Sequence, residues 1–237
     1  AMKYLLIVLA LLCCSCTAHY KIKDSGVEHV SWNAGHGKVV KRLEGADPDT
    51  FKELLPYYGK DKERVYWQSA VVSGADSGSF VALNNYYGVD AYHGILNGRV
   101  ITKSDGPTFE HLGNNWSRDK ANYFYMGEAL DLCDYDSFKV IESLLPDRAK
   151  DRYCLYYQAS RVPVKDFQSL VILKANYAKD SVHVYWGDFV VESADPATFE
   201  VKESKYFARD KNQCFSGPQA LECERMTEEG KEYCRCE

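Results

Sequence analysis

A phenylalanine recurs along this chain at a nearly constant interval. Phe51, Phe80, Phe109, Phe138, Phe167 and Phe199 follow one another at steps of 29, 29, 29, 29 and 32. Four residues ahead of them lie Asp47, Asp76, Asp105, Asp134, Pro163 and Asp195. A fixed period of roughly 30 residues constrains the fold more tightly than composition does. Each unit is one supersecondary element that cannot bury its apolar face alone, so it must stack on its neighbours.

A second anchor runs in phase. Asp61, Asp90, Asp119, Asp151, Asp180 and Asp210 are each followed five residues later by a large apolar residue: Tyr66, Ile95, Phe124, Tyr156, Tyr185 and Phe215. Three residues before the same Asp stand Tyr58, Tyr87, Trp116, Arg148, Tyr177 and Phe207. Eight residues before each Phe lie Leu43, Val72, Ile101, Leu130, Ala159 and Val191. Pro163 and Ala159 together suggest that the fifth unit has lost a turn. The wider spacing near residues 140–150 leaves room for an extra helical turn.

The content of a unit is strand-like. Val65-Tyr66-Trp67, Tyr123-Phe124-Tyr125, Leu155-Tyr156-Tyr157 and Val184-Tyr185-Trp186 are β-branched and aromatic, which suits a pleated surface. Asn97-Gly98 and Gly187-Asp188 supply two-residue turns. In Asp47-Pro48 and Asp195-Pro196 the Asp can cap a helical turn. Short helices are expected from Phe51 to Leu55 and from Phe138 to Leu145. The fold class is therefore mainly β, a repeat architecture of about six units with a period of 29–32. Each unit is built on a β-hairpin with short helical turns. An open solenoid is preferred. Propeller-like closure is the alternative, less favoured because about 29 residues is short for a four-stranded blade.

Asp-Lys followed by an apolar-Tyr-aromatic triplet, and then Ala-Asp ahead of Thr/Ser-Phe, resembles the DKNYY family of bacterial repeat proteins. The residues that carry the resemblance are Asp61-Lys62 with Val65-Tyr66-Trp67, Asp180 with Val184-Tyr185-Trp186, and Asp210-Lys211-Asn212. It covers roughly residues 40–216. It implies a bacterial, often envelope-associated protein and supplies no active-site residues.

The N-terminus reads as a targeting segment. Lys3 precedes an apolar run from Tyr4 to Leu12, too short to span a bilayer and suited to a secretory signal. The run ends in Cys13-Cys14-Ser15-Cys16. A Cys after a small residue at this place resembles a bacterial lipobox, with Cys16 as the acylated residue and Cys14 as its competitor. Ordinary cleavage after Ala18 is the alternative, giving a secreted or periplasmic protein. The expected organisation is a signal over 1–16, an N-terminal segment or decayed repeat over 17–40, a repeat domain over 41–216 and a Cys-rich charged tail over 217–237.

After Cys16 six cysteines remain: Cys133, Cys154, Cys214, Cys223, Cys234 and Cys236. An even count in an exported chain points to disulfides. Cys133 and Cys154 could staple neighbouring units, and the four tail cysteines could pair among themselves. A zinc site from those four is the competing reading, but they lack the paired Cys-x₂-Cys spacing.

Charge excludes one class of function. The chain has 29 basic and 34 acidic residues with no basic cluster, which argues against nucleic-acid binding. Asp76-Ser77-Gly78 is the sequence around a serine nucleophile in some proteases, but Asp76 lies on the repeat grid and nothing marks the partners of a triad. The six His are scattered and read as surface residues. The repeating Asp read as turn and cap residues, since they lack the alternating acids of a calcium loop. No cofactor and no metal is expected. The 18 Tyr and four Trp exceed the needs of a small core. Off-grid Tyr57, Tyr86 and Tyr92 are the candidate binding residues, for a protein or a glycan. The chain thus reads as a non-catalytic envelope lipoprotein held to a membrane by its lipid anchor. An exported hydrolase with an unrecognised site is the alternative.

Overall fold

A computed structural model describes residues 18–141, 147–201, 207–222 and 228–234. The expected signal segment with Cys14 and Cys16, and the tail residues Cys223 and Cys236, lie outside the described residues. The chain divides into two compact units, one running to Ile101 with Asp105–Pro107, the other comprising Thr102–Ser104 and the chain from Thr108 onward.

The first unit holds three antiparallel sheets. The first has strands β1 (His19–Lys23), β2 (Gly26–Asn33) and β3 (Gly37–Arg42). The second has β4 (Lys52–Leu55), β5 (Tyr58–Lys60), β6 (Val65–Trp67) and β7 (Ala70–Val71). The third has β8 (Val81–Ala82), β9 (Tyr87–Val89), β10 (Gly94–Leu96) and β11 (Arg99–Val100).

The second unit holds four sheets of the same plan. Their strands are β12 (Glu110–Gly113), β13 (Trp116–Arg118), β14 (Tyr123–Tyr125) and β15 (Glu128–Ala129); then β16 (Lys139–Val140), β17 (Arg148–Lys150), β18 (Leu155–Tyr157) and β19 (Ser160–Arg161). There follow β20 (Val171–Ile172), β21 (Tyr177–Lys179), β22 (Val184–Trp186) and β23 (Phe189–Val190), and finally β24 (Glu200–Val201), β25 (Phe207–Arg209), β26 (Cys214–Ser216) and β27 (Gln219–Leu221). Helix α1 (Glu228–Cys234) follows. Every sheet is a linear meander and none closes into a barrel, so the chain is mainly β with an open repeat architecture. So short a repeat accommodates four strands because most of the outermost strands shrink to a pair of residues, as at Ala70–Val71 and Val81–Ala82.

The grid residues make the core. Phe51, Phe80, Phe109, Phe138 and Phe199 are buried, as are Leu43, Val72, Ile101, Leu130 and Val191. Each Phe ring needs a small partner in the second strand. A Cβ on Gly59 would meet Phe51 at 2.3 Å, and one on Gly88 would meet Phe80 at 2.5 Å. The same place, just before the buried Asp, is held by Ser117, Ala149, Ala178 and Ala208, all buried. Three turns show the left-handed pairing expected of type I′ hairpins: Asn97-Gly98 at φ 51° and 73°, Met126-Gly127 at 49° and 82°, and Ala175-Asn176 at 52° and 62°. Gly98 is required twice over, because a Cβ there would also lie 2.7 Å from Trp67 Cβ.

Three expectations are corrected. Residues from Lys52 to Leu55 form a strand, not a helix. Lys139–Val140 is likewise a strand, with the rest of that expected helix largely outside the described residues. The third correction concerns the fifth unit, which has lost no turn. Its turn Asp is Asp166, whose carboxylate accepts the Ser169 hydroxyl at 2.7 Å, as that of Asp47 accepts Thr50 at 2.9 Å. Leu170 then takes the place of the Phe, and Val162, not Ala159, takes the buried apolar place. Val162 N–H donates to Leu155 O as Val72 N–H donates to Val65 O, both at 2.8 Å. In this frame one interval separates each buried Asp from the turn Asp that follows it: Asp61 from Asp76, Asp90 from Asp105, Asp119 from Asp134, Asp151 from Asp166 and Asp180 from Asp195. Three extra residues of the chain fall between Val140 and Arg148, and one between Val201 and Phe207.

Candidate functional site

The buried Asp of each hairpin, expected as a turn residue, accepts backbone N–H groups of its own turn in the structure. Asp180 Oδ1 accepts the backbone N–H groups of Val182 and His183, both at 2.7 Å. Its Oδ2 accepts those of Lys165 and Asp166 at 2.9 Å and the Tyr185 hydroxyl at 2.6 Å. Asp151 repeats the pattern with Tyr153, Cys154, Cys133, Asp134 and Tyr156. Asp61 takes the N–H groups of Glu63, Arg64 and Asp47 and the Tyr66 hydroxyl. Burial alone would push these carboxyls up. The hydrogen bonds outweigh it and hold Asp61, Asp151 and Asp180 below the ordinary carboxylate range. Burial, with the Asp61 carboxylate adding to it, in turn pushes the Tyr66 hydroxyl up to about 12.

The residue after the buried Asp locks the preceding turn in place. Lys62 pairs with Asp47 at 3.3 Å, Lys211 with Asp195 at 3.0 Å, and the Ser181 hydroxyl donates to Asp166 at 2.7 Å. The Asp-Lys pair of the motif is therefore a structural clasp.

Among the described residues two disulfides form: Cys133–Cys154 and Cys214–Cys234. The first ties the connector ahead of β16 to the β17–β18 hairpin. In other sheets a side chain at the Cys154 place makes the same tie. Arg64 donates to Gly45 O and Gln213 to Ser193 O, each at 2.8 Å. The second disulfide fixes α1, helped by Arg209, which donates to Tyr233 O at 2.6 Å. It consumes two of the four thiols of the alternative zinc site. Cys133, Asp151 and Cys154 bring ligand atoms within 4.8 Å of one another, but those thiols are bonded and Asp151 is saturated. Two disulfides indicate folding in an oxidising compartment. No described helix is long and apolar enough to cross a membrane.

Ser77 is buried, and its hydroxyl donates to Asp61 O at 2.5 Å, so it serves the turn and not a triad. His29, expected at the surface, is buried. Its Nε2–H donates to Pro56 O at 3.1 Å, and burial pushes its pKa down.

Of the candidate binding tyrosines, the structure brings two together. Tyr57 and Tyr86 precede the second strand of successive sheets. Each carbonyl accepts the N–H of its own hairpin turn, from Gln68 at 2.6 Å and Asn97 at 2.8 Å. Their ring centroids lie 6.0 Å apart. Tyr57 also meets His29 at 6.2 Å and Trp67 at 6.3 Å. Tyr57 is half-buried and Tyr86 is 52 % exposed. Tyr92 lies apart, at the Asp90 turn against His93, and is 64 % exposed.

In the second unit the corresponding places carry Asn115, Asp147 and Asn176, whose carbonyls accept from Met126, Gln158 and Gly187. Here the face is polar. Asn115 donates to the Tyr125 hydroxyl at 3.2 Å, and that hydroxyl donates to Asp147 at 2.6 Å. The Asn176 amide donates to the Tyr157 hydroxyl at 3.4 Å. Beside them Arg148 is buried where other sheets carry Tyr, Trp or Phe. Its guanidinium donates to the carbonyls of Tyr177 and Asn176, and burial pushes its pKa down to about 10.

These features define a repeat protein of antiparallel β-meanders, in which each four-stranded sheet carries one buried Asp at its central hairpin. The chain belongs to the DKNYY family, whose model matches residues 33–160 and again 144–219. Comparison with curated proteins and with solved structures finds no match.

Proposed function

We propose that the chain is a non-catalytic, lipid-anchored scaffold of a bacterial cell envelope that binds an extended glycan along its repeat face. One observation carries the binding reading: Tyr57 and Tyr86 form a row 6.0 Å apart on equivalent places of successive sheets, with Tyr86 open to solvent. Aromatic rings with one wet edge stack on apolar faces and hydrogen-bond at the rim. The saturated carboxylates favour a scaffold over a catalyst, since their lone pairs already hold backbone N–H groups.

Binding is tested on a glycan array with Tyr57→Ala/Tyr86→Ala beside the parent. Unchanged binding by the double variant removes the row as the site, and a protein captured in place of any glycan would move the ligand class. Anchoring is tested by labelling with a fatty-acid analogue in a bacterial host. Loss of label in Cys16→Ala supports the lipobox reading, loss in Cys14→Ala alone moves the site, and no label in the parent leaves ordinary export.

A further inference from the structure

The first sheet has an outward face that the repeat does not use. Alternation along its strands divides its residues between two faces. Tyr20, Val27 and His29 point toward the second sheet: the Tyr20 hydroxyl donates to Tyr57 O at 2.8 Å, and the Tyr20 ring lies 5.2 Å from Phe51. The cross-strand register puts His19, Lys21 and Lys23 of β1, Glu28, Val30 and Trp32 of β2, and Lys38, Val40 and Arg42 of β3 on the opposite face. Trp32 is 58 % exposed and Val40 49 %, while Val30, flanked in register by His19 and Val40, is buried.

The charge of this sheet runs against that of the chain. Residues 18–43 carry five Lys and Arg against two acids, whereas the whole chain has 29 against 34. Of the two acids, Asp24 lies in the β1–β2 turn and Glu28 is paired with Lys23 at 2.7 Å. Lys21 and Lys38 are exposed. An exposed Trp and Val ringed by cations is the composition of a surface that rests in a headgroup layer: the indole lies at the boundary and the cations meet anionic lipid. The apolar run from Tyr4 to Leu12 lies a few residues ahead of β1, which brings this sheet, of all seven, nearest in sequence to a membrane-directed segment.

We infer that the outward face of the first sheet docks on an anionic lipid bilayer, with Trp32 and Val40 at the interface and Lys21, Lys23, Lys38 and Arg42 on the headgroups. The inference stands on the chemistry of the face and does not require acylation of Cys16. It turns the first sheet toward the membrane and leaves the Tyr57–Tyr86 row to ligands.

The test uses the full chain with vesicles of phosphatidylcholine, with and without phosphatidylglycerol, carrying brominated acyl chains. Trp32→Phe defines the share of emission due to Trp32. That share should be quenched in the anionic vesicles and spared in the zwitterionic ones. Lys21→Ala/Lys38→Ala should weaken docking by about fivefold for each cation and about 25-fold for the pair, and about 0.5 M salt should weaken it too. The inference is overturned if Trp32 stays equally open to aqueous acrylamide with and without vesicles, or if quenching ignores both the lysine changes and salt. Capture of an acidic protein without vesicle docking also overturns it. Cys16→Ala separates the two readings. Docking that persists in unlabelled Cys16→Ala keeps the face whatever the anchor; docking by a parent that takes no fatty-acid label refutes the anchor and leaves the face, and label without lysine-dependent docking does the reverse.

Discussion

Asp180→Asn is the sharpest test of the clasp, because it is nearly isosteric and changes only what one carboxylate can accept. In the native protein five donors converge on Asp180: the N–H groups of Val182, His183, Lys165 and Asp166 and the Tyr185 hydroxyl. An amide presents one oxygen and one NH₂. If its oxygen faces Val182 and His183, its NH₂ faces Lys165 and Asp166, while Tyr185 can rotate its hydroxyl to accept. If the amide flips, Val182 and His183 are the donors left facing NH₂. With the oxygen on Val182 and His183 only the Asp166 N–H loses its acceptor, because Lys165 N–H also donates to the Tyr185 hydroxyl at 3.0 Å; the flipped amide leaves Val182 and His183 without theirs. At about 1–3 kcal/mol for each lost acceptor, the variant should lose about 2 kcal/mol. Urea unfolding reads the total. Because a repeat array need not unfold in one step, amide exchange at Val182, His183, Lys165 and Asp166 should be followed as well, with protection falling there first. Asp131→Ala, whose side chain is 90 % exposed, is the control and should shift the midpoint far less. A midpoint for Asp180→Asn no lower than that of the control would refute the clasp.

The remaining predictions follow from the same geometry. Asp61, Asp151 and Asp180 have depressed folded-state pKa values, so their stabilisation is present above the ordinary carboxylate value of 3.8 and is lost as pH falls below it; thermal melts should be flat near neutrality and drop steeply in acid, with a shallower drop in Asp180→Asn. Cys133→Ser/Cys154→Ser opens a loop of sequence separation 21 and should cost about 3 kcal/mol on the chain-entropy account, read by urea unfolding; no change would mean that Asp151 alone holds the connector. Arg148→Tyr replaces a buried cation with the residue found at Tyr58 and Tyr177, and its hydroxyl can donate to Asn176 O as that of Tyr58 donates to Tyr86 O. Relief of a shift from 12.5 to about 10 corresponds to roughly 3 kcal/mol at most, so the variant should melt higher than the parent.

The period is legible in the sequence because two constraints repeat together. A Phe must fill the core once per sheet, and a buried Asp must close each hairpin. The fifth unit misleads because Leu170 stands in the place of the Phe while Phe167, three residues earlier, imitates it. The constant interval from buried Asp to turn Asp resolves the ambiguity, since Asp151 to Asp166 obeys it. The small residues Gly59, Gly88, Ser117, Ala149, Ala178 and Ala208 recur in phase just before the buried Asp, yet such residues also occur throughout loops and carry no visible signal until the Phe ring is seen against them. The meeting of Tyr57 with Tyr86 is legible from their equal phase. The part played by His29 is not, because it comes from a sheet that does not follow the repeat. The basic face is hidden too: four cations on two strands form a patch only once the register brings them to one side.

A division between backbone and side chain explains how one repeat can carry different surfaces. At Tyr57, Tyr86, Asn115, Asp147 and Asn176 the carbonyl performs the same structural task, accepting the N–H of the hairpin turn. The task asks nothing of the side chain, so the side chain is free to differ. In the first unit it builds an aromatic row over Trp67 and His29. In the second it builds a chain of amide, phenol and carboxylate. The interior places lack that freedom, because the Phe ring requires a small partner and the Asp carboxylate requires all its donors. Recognition should therefore reside where the repeat constrains only the main chain. That is why the candidate ligand surface is sought at these places and not at the Asp and Phe that make the repeat visible.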